Sequence, residues 1–460
     1  MTSDAAGAAY DIVVLGAGSG GYACALRAAE LGLRVALVER DLIGGTCLHR
    51  GCIPTKAMLH AAEVADEARS AAHVGVRLGE PEIDLAQVGR YRQGVVDRLF
   101  KGLTGLIGSR SEIEVVRGEG RVVDARTVAV DDRILRGRHL VLATGSVAKV
   151  LPGITLGPRV VTSDEALRLE SVPQRVVVLG GGVIGVEFAS VFRSFGAKVT
   201  IVEALDRLVP AEDAAISAGL TRAFRQRKIT ALTGVRVAGV EAGEDEVRVE
   251  LEGRDPLVAD LLLVAVGRGP GPVPGIDALG VTMSGAHVEV DERCRTSVEG
   301  VYAVGDLVPG LQLAHRGFAQ GIFVAEDIAG FSPRPVPESG IPRVTYCDPE
   351  IGSVGLTEEA ARAAYGEVEV VEYNLGGNGK SQILGTKGFV KLVRAKDGPI
   401  VGMHLLGARI GEQIGEAQLI VNWQAFPDDL APLIHAHPTQ NEALGEAALA
   451  LAGKPLHSHG

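Results

Sequence analysis

Two cysteines, Cys47 and Cys52, are separated by four residues in the segment Gly44-Gly45-Thr46-Cys47-Leu48-His49-Arg50-Gly51-Cys52-Ile53-Pro54-Thr55-Lys56. Thiols this close can bind zinc, close a structural disulfide, or cycle between dithiol and disulfide. Zinc needs a second pair of ligands, and none stands at suitable spacing nearby. A structural disulfide is out of place in a chain that reads as cytoplasmic, where thiols are kept reduced. A reversible, catalytic disulfide is the better reading. The step between the cysteines is neither i+3 nor i+4 on a helix, so a distorted first turn is needed to bring the sulfurs into bonding range. Helix-terminal amides and Lys56 are expected to draw a thiol pKa down from about 8.5 toward neutrality. Cys24, Cys294 and Cys347 are scattered and read as small buried hydrophobes.

The pair follows directly on a nucleotide-binding pattern. A β-branched run at 10–16 leads into Gly16-x-Gly18-x-x-Gly21, then an Ala-rich helical stretch at 22–31, then a strand at 34–38 ending on Glu39. Gly16 permits the tight turn, Gly18 lets backbone amides approach a pyrophosphate, and Gly21 allows close helix–strand packing. The helix N-terminus faces the negative charge, and Glu39 stands where a carboxylate accepts from an adenosine ribose. The unit recurs at 175–179, Gly180-Gly181-Gly182-Val183-Ile184-Gly185, a helix through Glu187, Phe188 and Phe192, and a strand at 197–202 ending on Glu203. Two βαβ units predict two separate parallel sheets. Two dinucleotide sites suggest two redox cofactors exchanging electrons. Glu203 would repel a 2′-phosphate and no Arg immediately follows it, which favours NAD over NADP; Arg207, a few residues on, is the one counter-signal.

At 460 residues the chain has room for about three domains. Its 61 glycines are nearly twice the usual share, a habit of proteins with many tight turns and close backbone approaches. A net charge of −11 with no basic run excludes an electrostatic grip on nucleic acid or anionic lipid. Residues 1–11 lack the cationic region of a secretory signal, and no uncharged stretch reaches the roughly 18–20 apolar residues of a membrane span. A cytoplasmic location is therefore expected.

After a Pro-rich break at 331–342 the pattern alternates at 343–346 and 389–393, so a third domain is expected from near Ile341. It contains His435-Ala436-His437-Pro438 with Glu442 further on. The paired histidines invite a metal reading, but no third ligand stands at convincing spacing and no metal is assigned. The segment 453–460, with His457 and His459, reads as a frayed tail without chemistry.

Taken together, these motifs resemble the pyridine nucleotide–disulfide oxidoreductases and, within them, the dihydrolipoamide dehydrogenases. The resemblance rests on Gly-Gly-Thr-Cys-Leu-x-x-Gly-Cys-Ile-Pro-x-Lys and on Gly-Gly-Gly-Val-Ile-Gly-Val-Glu. It extends through Ala143-Thr144-Gly145, Val266-Gly267-Arg268, Tyr302-Ala303-Val304-Gly305-Asp306, Leu313-Ala314-His315 and His435-Ala436-His437-Pro438-Thr439. It implies an α/β fold of two Rossmann-like domains, for FAD and NAD, plus a C-terminal α+β dimerisation domain. The implied divisions are 1–150 and 276–340 for FAD, 151–275 for NAD and 341–460 for the interface of an obligate homodimer. FAD would be held by Gly16, Gly18, Gly21, Glu39, Thr46, Thr144, Gly145, Asp306, Ala314 and His315. NAD would be held by Gly180, Gly182, Val183, Gly185, Glu203 and Gly267. The resemblance makes Cys52 the sulfur beside the flavin and Cys47 the one that exchanges with substrate. It pairs Lys56 with Glu187, and makes His437 the acid–base group, oriented by Glu442, while His435 is structural. The implied activity oxidises dihydrolipoamide on a lipoyl domain of a 2-oxo acid dehydrogenase or glycine-cleavage complex. Reduction of another disulfide such as glutathione, or a non-catalytic docking role, are the competing readings. The chain departs from the family pattern at His49, in place of Asn, and at Gly269-Pro270-Gly271, in place of Pro-Asn.

Overall fold

A computed structural model describes residues 9–457, which divide into two compact units. The first comprises residues 9–57, Ala86–Lys149 and Arg268–Glu338; the second comprises Met58–Leu85, Val150–Gly267 and residues 339–457.

In the first unit the strands run in the order Ile113–Arg117, Val35–Glu39, Tyr10–Leu15, Arg133–Leu142 and Val301–Ala303, all parallel. Val13, Val14, Ala36 and Leu37 are buried on alternate faces, which is why these strands read as continuous apolar runs. The first half of Arg133–Leu142 also pairs antiparallel with Thr127–Val130, which pairs in turn with Gly120–Asp124. Helices Ser19–Glu30 and Ala314–Ile328 bury Cys24, Ala25, Ala28, Val324 and Ala325 in one core with Ile12, Leu37 and Val141. Their contact is close: a Cβ on Gly321 would lie 2.2 Å from the Gly20 carbonyl oxygen. The first helix starts at Ser19 rather than 22 because Gly20 and Gly21, which read as loop, take helical conformations where the backbones meet.

The second unit holds another parallel sheet, ordered Thr230–Thr233, Lys198–Glu203, Arg175–Leu179, Leu261–Val264 and Val160–Val161. Helix Val183–Ser194 buries Val186, Phe188, Ala189 and Phe192. An antiparallel ribbon, Val237–Ala242, Val247–Leu251 and Arg254–Ala259, shares the core of this sheet. The C-terminal part is an antiparallel sheet ordered Arg343–Thr345, Glu350–Gly355, Ile400–Gly407, Phe389–Ala395 and Val368–Asn374. Helices Ile410–Asn422 and Glu442–Leu451 cover it through Ile414, Ala417, Leu444 and Ala447. The fold class is thus the expected one: two Rossmann-like parallel sheets and a C-terminal α+β part. No helix among the described residues is long and apolar enough to cross a membrane.

The tail departs from expectation. His457 is anchored, its backbone N–H and its ring both bonding the Glu446 carboxylate at 3.0 and 2.8 Å. The acceptor lies on a packed helix, a contact that composition does not reveal. His459 lies outside the described residues.

Candidate active site

The two glycine loops share one geometry. Gly16 has φ +103°, and a Cβ there would lie 2.4 Å from the Ala143 carbonyl oxygen; Gly180 has φ +110° and would meet the Ala265 oxygen at 2.4 Å. A Cβ on Gly21 or Gly185 would come within 1.8 or 1.9 Å of the Gly16 or Gly180 oxygen. Glu39 accepts from the Ala17 N–H at 2.7 Å and the Asp41 N–H at 2.8 Å. Glu203 accepts from the Gly181 N–H at 2.6 Å and the Leu205 N–H at 2.8 Å. Each carboxylate oxygen keeps a further lone pair, suited to a ribose hydroxyl. Arg207 turns to the Pro210 carbonyl at 3.0 Å.

Both loop helices begin on a glycine, Gly18 or Gly182, with no side-chain cap and no acid in the first turn. Some other helices of the chain do carry a side-chain cap: Asp213 accepts from the Ala215 N–H at 2.9 Å, and Thr357 from the Ala360 N–H at 3.2 Å. Uncapped positive helix ends beside glycines fit a pyrophosphate, so the residues present fit a dinucleotide at each loop.

The cysteine segment lies against the first loop. Gly44, at φ +103°, donates its N–H to the Ala17 carbonyl at 2.8 Å. The cysteines do not share one distorted helix as expected. Cys47 lies in helix Gly45–His49, and Cys52 opens helix Cys52–Ser70. The chain breaks at Arg50-Gly51, where a Cβ on Gly51 would press within 3.2 Å of the Thr46 oxygen. That break brings the sulfurs together, and Cys47 hydrogen-bonds to Cys52. The Cys47 thiol is not drawn down. The bond to Cys52, burial and the Cys52 charge push the Cys47 thiol well up, and Lys56, which acts the other way, is outweighed. Burial and the same two sulfurs push the Tyr22 phenol up to about 12. His49 donates from Nε2 to the Ile43 carbonyl at 2.8 Å and sets its ring edge-on to Phe100, which makes it a brace for the cysteine helix.

A polar network that the sequence did not announce surrounds Asp306. Ser146 Oγ donates to the Asp306 carboxylate at 2.6 Å. Arg268 donates to Ser146 Oγ and to its carbonyl, both at 2.9 Å, and reaches Thr46 Oγ1 at 3.5 Å. Arg268 was legible only as a landmark, and nothing marked Ser146. Thr144 and Gly145 sit against the unusual Gly269-Pro270-Gly271 segment. The Gly271 N–H donates to the Gly145 carbonyl at 2.7 Å, and a Cβ on Gly271 would lie 2.7 Å from the Thr144 oxygen. A glycine is therefore required by contact at this departure from the family pattern. Ala314 and His315 open helix Ala314–Ile328. From that helix Gln320 accepts from the Gly305 N–H at 2.8 Å, and buried Arg316 donates to the Gly305 carbonyl at 3.2 Å.

In the second unit, Gly267 takes φ +98° just after strand Leu261–Val264. Glu187 is only 3% exposed and accepts from the Tyr346 N–H at 2.9 Å. His437 and Glu442 meet as expected, with Nδ1 donating to Oε1 at 2.7 Å, and the other oxygen accepts from the Thr439 N–H at 2.7 Å. Burial opposes ionisation of Glu442, but the Thr439 N–H and His437 outweigh it and hold its pKa below the usual range. The His437 side chain is 78% exposed in the protomer. His435 bonds Glu416 at 2.7 Å, which gives its structural role a partner. Among the described residues, no group of three or more His, Cys, Asp or Glu is placed to hold a metal ion.

Two dinucleotide loops, a vicinal thiol pair against the first of them and an imidazole–carboxylate pair in a separate C-terminal part define a class. Residues 10–321 match the pyridine nucleotide-disulphide oxidoreductase model and residues 341–448 the dimerisation domain of the same proteins, so the chain belongs to the pyridine nucleotide-disulphide oxidoreductase family. It is 38% identical to the dihydrolipoyl dehydrogenase of Bacillus subtilis, covering 97% of this chain and 99% of that protein. It is 41% identical to the dihydrolipoyl dehydrogenase of Chlorobaculum parvum, over 97% and 98% of the two chains. Among solved structures it is similar to LpdA of Mycobacterium tuberculosis, with TM-score 0.90 and 25% identity over 96% of this chain and 99% of that one. The HOCl-induced flavoprotein disulfide reductase RclA of Escherichia coli gives TM-score 0.86 and 27% identity over 95% and 99%.

Proposed function

We propose that this oxidoreductase is a dihydrolipoyl dehydrogenase that works with FAD and NAD(H), oxidising dihydrolipoamide carried on a lipoyl domain. The observation that carries the reading is the hydrogen-bonded Cys47–Cys52 pair set against a dinucleotide loop, in a chain that aligns nearly end to end with dihydrolipoyl dehydrogenases. FAD is assigned to Gly16, Gly18, Gly21, Glu39, Thr46, Thr144, Gly145, Asp306, Ala314 and His315. NAD is assigned to Gly180, Gly182, Val183, Gly185, Glu203 and Gly267. Residues 1–150 and 276–340 form the FAD domain, 151–275 the NAD domain, and 341–460 the interface of a homodimer.

His437 takes a proton from a substrate thiol, and Glu442 fixes the imidazole tautomer by accepting from Nδ1. The thiolate attacks Cys47 of the oxidised pair; the Cys47–Cys52 bond breaks, and Cys52 leaves as a thiolate. The second substrate thiol, deprotonated in turn, attacks the substrate sulfur of the mixed disulfide and displaces Cys47. Lipoamide is released, and the pair holds two electrons. Cys52 retains the negative charge and Cys47 the proton, in keeping with the raised Cys47 pKa. FAD, when bound, supplies two-electron carriage from the dithiol to NAD⁺. Lys56, four residues after Cys52, stabilises the charge beside it.

The test is the initial rate of NAD⁺ reduction by dihydrolipoamide, run beside NADPH oxidation by glutathione disulfide. Fast turnover in the first with little in the second is expected. The reverse would move the protein to the glutathione-type reductases and overturn the role given to Glu203.

A further inference from the structure

We infer that Glu416 is a positioning residue for the acid–base pair, an inference that rests on the reading of His437 as the base. Glu416 lies on helix Ile410–Asn422, whereas Glu442 opens helix Glu442–Leu451. One Glu416 oxygen accepts from His435 Nε2 at 2.7 Å, and the other from Asn441 Nδ2 at 2.6 Å. These two donors stand beside the working residues: His435 lies two positions before His437, and Asn441 directly precedes Glu442. One carboxylate thus pins both ends of the segment 435–441, which carries the imidazole and leads directly into its orienter.

The details of packing serve the same end. A Cβ on Gly445 would lie 2.5 Å from His435 Nδ1, so glycine there lets the imidazole lie on the second helix while reaching the first. Between the two pinned ends, Asn378 donates to the Thr439 carbonyl at 2.9 Å and Thr439 Oγ1 donates to the Ala436 carbonyl at 2.8 Å. The contacts within the pair favour its charged form. Burial works against the Glu416 carboxylate, but the bonds from His435 and Asn441 keep its pKa below the usual range. The bond to Glu416 raises the pKa of His435. Firm support matters because about 1 Å of misplacement of a catalytic group can cost roughly 10²-fold in rate.

The experiment compares Glu416→Gln, Asn441→Ala and His437→Gln as flavin-loaded holoenzymes. Rapid mixing measures flavin reduction by dihydrolipoamide and, separately, by NADH; steady-state kcat and KM are measured alongside. Glu416→Gln is expected to slow the dithiol-driven reaction about 10- to 10²-fold, leaving the NADH-driven reaction and the KM for NAD⁺ unchanged. Asn441→Ala, which removes one of the two bonds, is expected to do the same more weakly. If Glu416→Gln does not fold, Asn441→Ala and His435→Gln carry the test. Dithiol-driven rates within twofold of the parent, with His437→Gln slow, overturn the inference alone. Equal slowing of both half-reactions also overturns it, since Glu416 is then merely structural. An unimpaired His437→Gln overturns the base assignment and this inference with it.

Discussion

Gly16 and Gly180 turn at nearly the same positive φ against the same kind of carbonyl, and Glu39 and Glu203 brace their loops with the same two backbone bonds. Beyond that shared frame the loops diverge. The first is roofed: a Cβ on Gly45 would lie 2.8 Å from Gly18 Cα, and the Gly44 amide bonds the Ala17 carbonyl. The second is open. Gly182 has nothing within 4 Å of where a Cβ would sit, and its neighbour Val183 is 45% exposed. A covered loop suits a cofactor retained through turnover, and an open one suits a cosubstrate that leaves each cycle. The cysteine segment is both the roof of the first loop and the carrier of its chemistry.

Cys47→Ser should have the largest effect, abolishing dihydrolipoamide turnover while NADH oxidation by an artificial acceptor survives. Full lipoamide activity in that variant would detach the chemistry from the first loop. Next come paired glycine substitutions. Gly45→Ala, at φ +58° and in backbone contact, should cost about 1–3 kcal/mol and speed flavin release, as read by thermal unfolding and fluorescence. Gly182→Ala should stay within about 0.5 kcal/mol of the parent yet raise the KM for NAD⁺. Flavin loss from Gly182→Ala would break the distinction between roofed and open loops.

Glu203→Ala should narrow the preference for NAD⁺ over NADP⁺ by about tenfold in kcat/KM, because the repulsive charge is removed. The smallest effect concerns pH. Arg175 donates to Asp260 through Nε and Nη2 at 3.1 and 2.6 Å, and these bonds hold the Asp260 carboxyl below its ordinary 3.8. A depressed pKa gives stability that is present above pH 3.8 and is lost as pH falls through the folded value. Asp260→Asn should therefore lower the melting temperature at pH 7, and the gap from the parent should shrink as the pH falls below 3.8. A gap unchanged with pH would deny the pair its electrostatic part.

The glycine loops, their terminal acids and the cysteine pair were legible because each depends on neighbours close in sequence. The strand expected at 175–179 is the strand observed, Arg175–Leu179. What escaped depends on distant contacts. Which thiol is drawn down is not legible from Lys56 alone: the Cys47 pKa rises, because the Cys52 bond and burial belong to the folded chain. Ser146 joins Asp306 across 160 positions and Arg268 across 122, a network that no local pattern could announce. His435 carried no visible partner, because Glu416 stands 19 positions away on helix Ile410–Asn422.

A base that is 78% exposed in its own protomer has a consequence for how activity scales. The resemblance to the family implies that His437 serves the disulfide of the other subunit in the proposed homodimer, so that the working unit would assemble only on association. Specific activity should then fall on dilution, tracing the monomer–dimer equilibrium, whereas NADH oxidation by an artificial acceptor should stay proportional to protein concentration. Mixing an inactive Cys47→Ser protein with an inactive His437→Gln protein should restore turnover, since one of the two sites in each hybrid pair is whole.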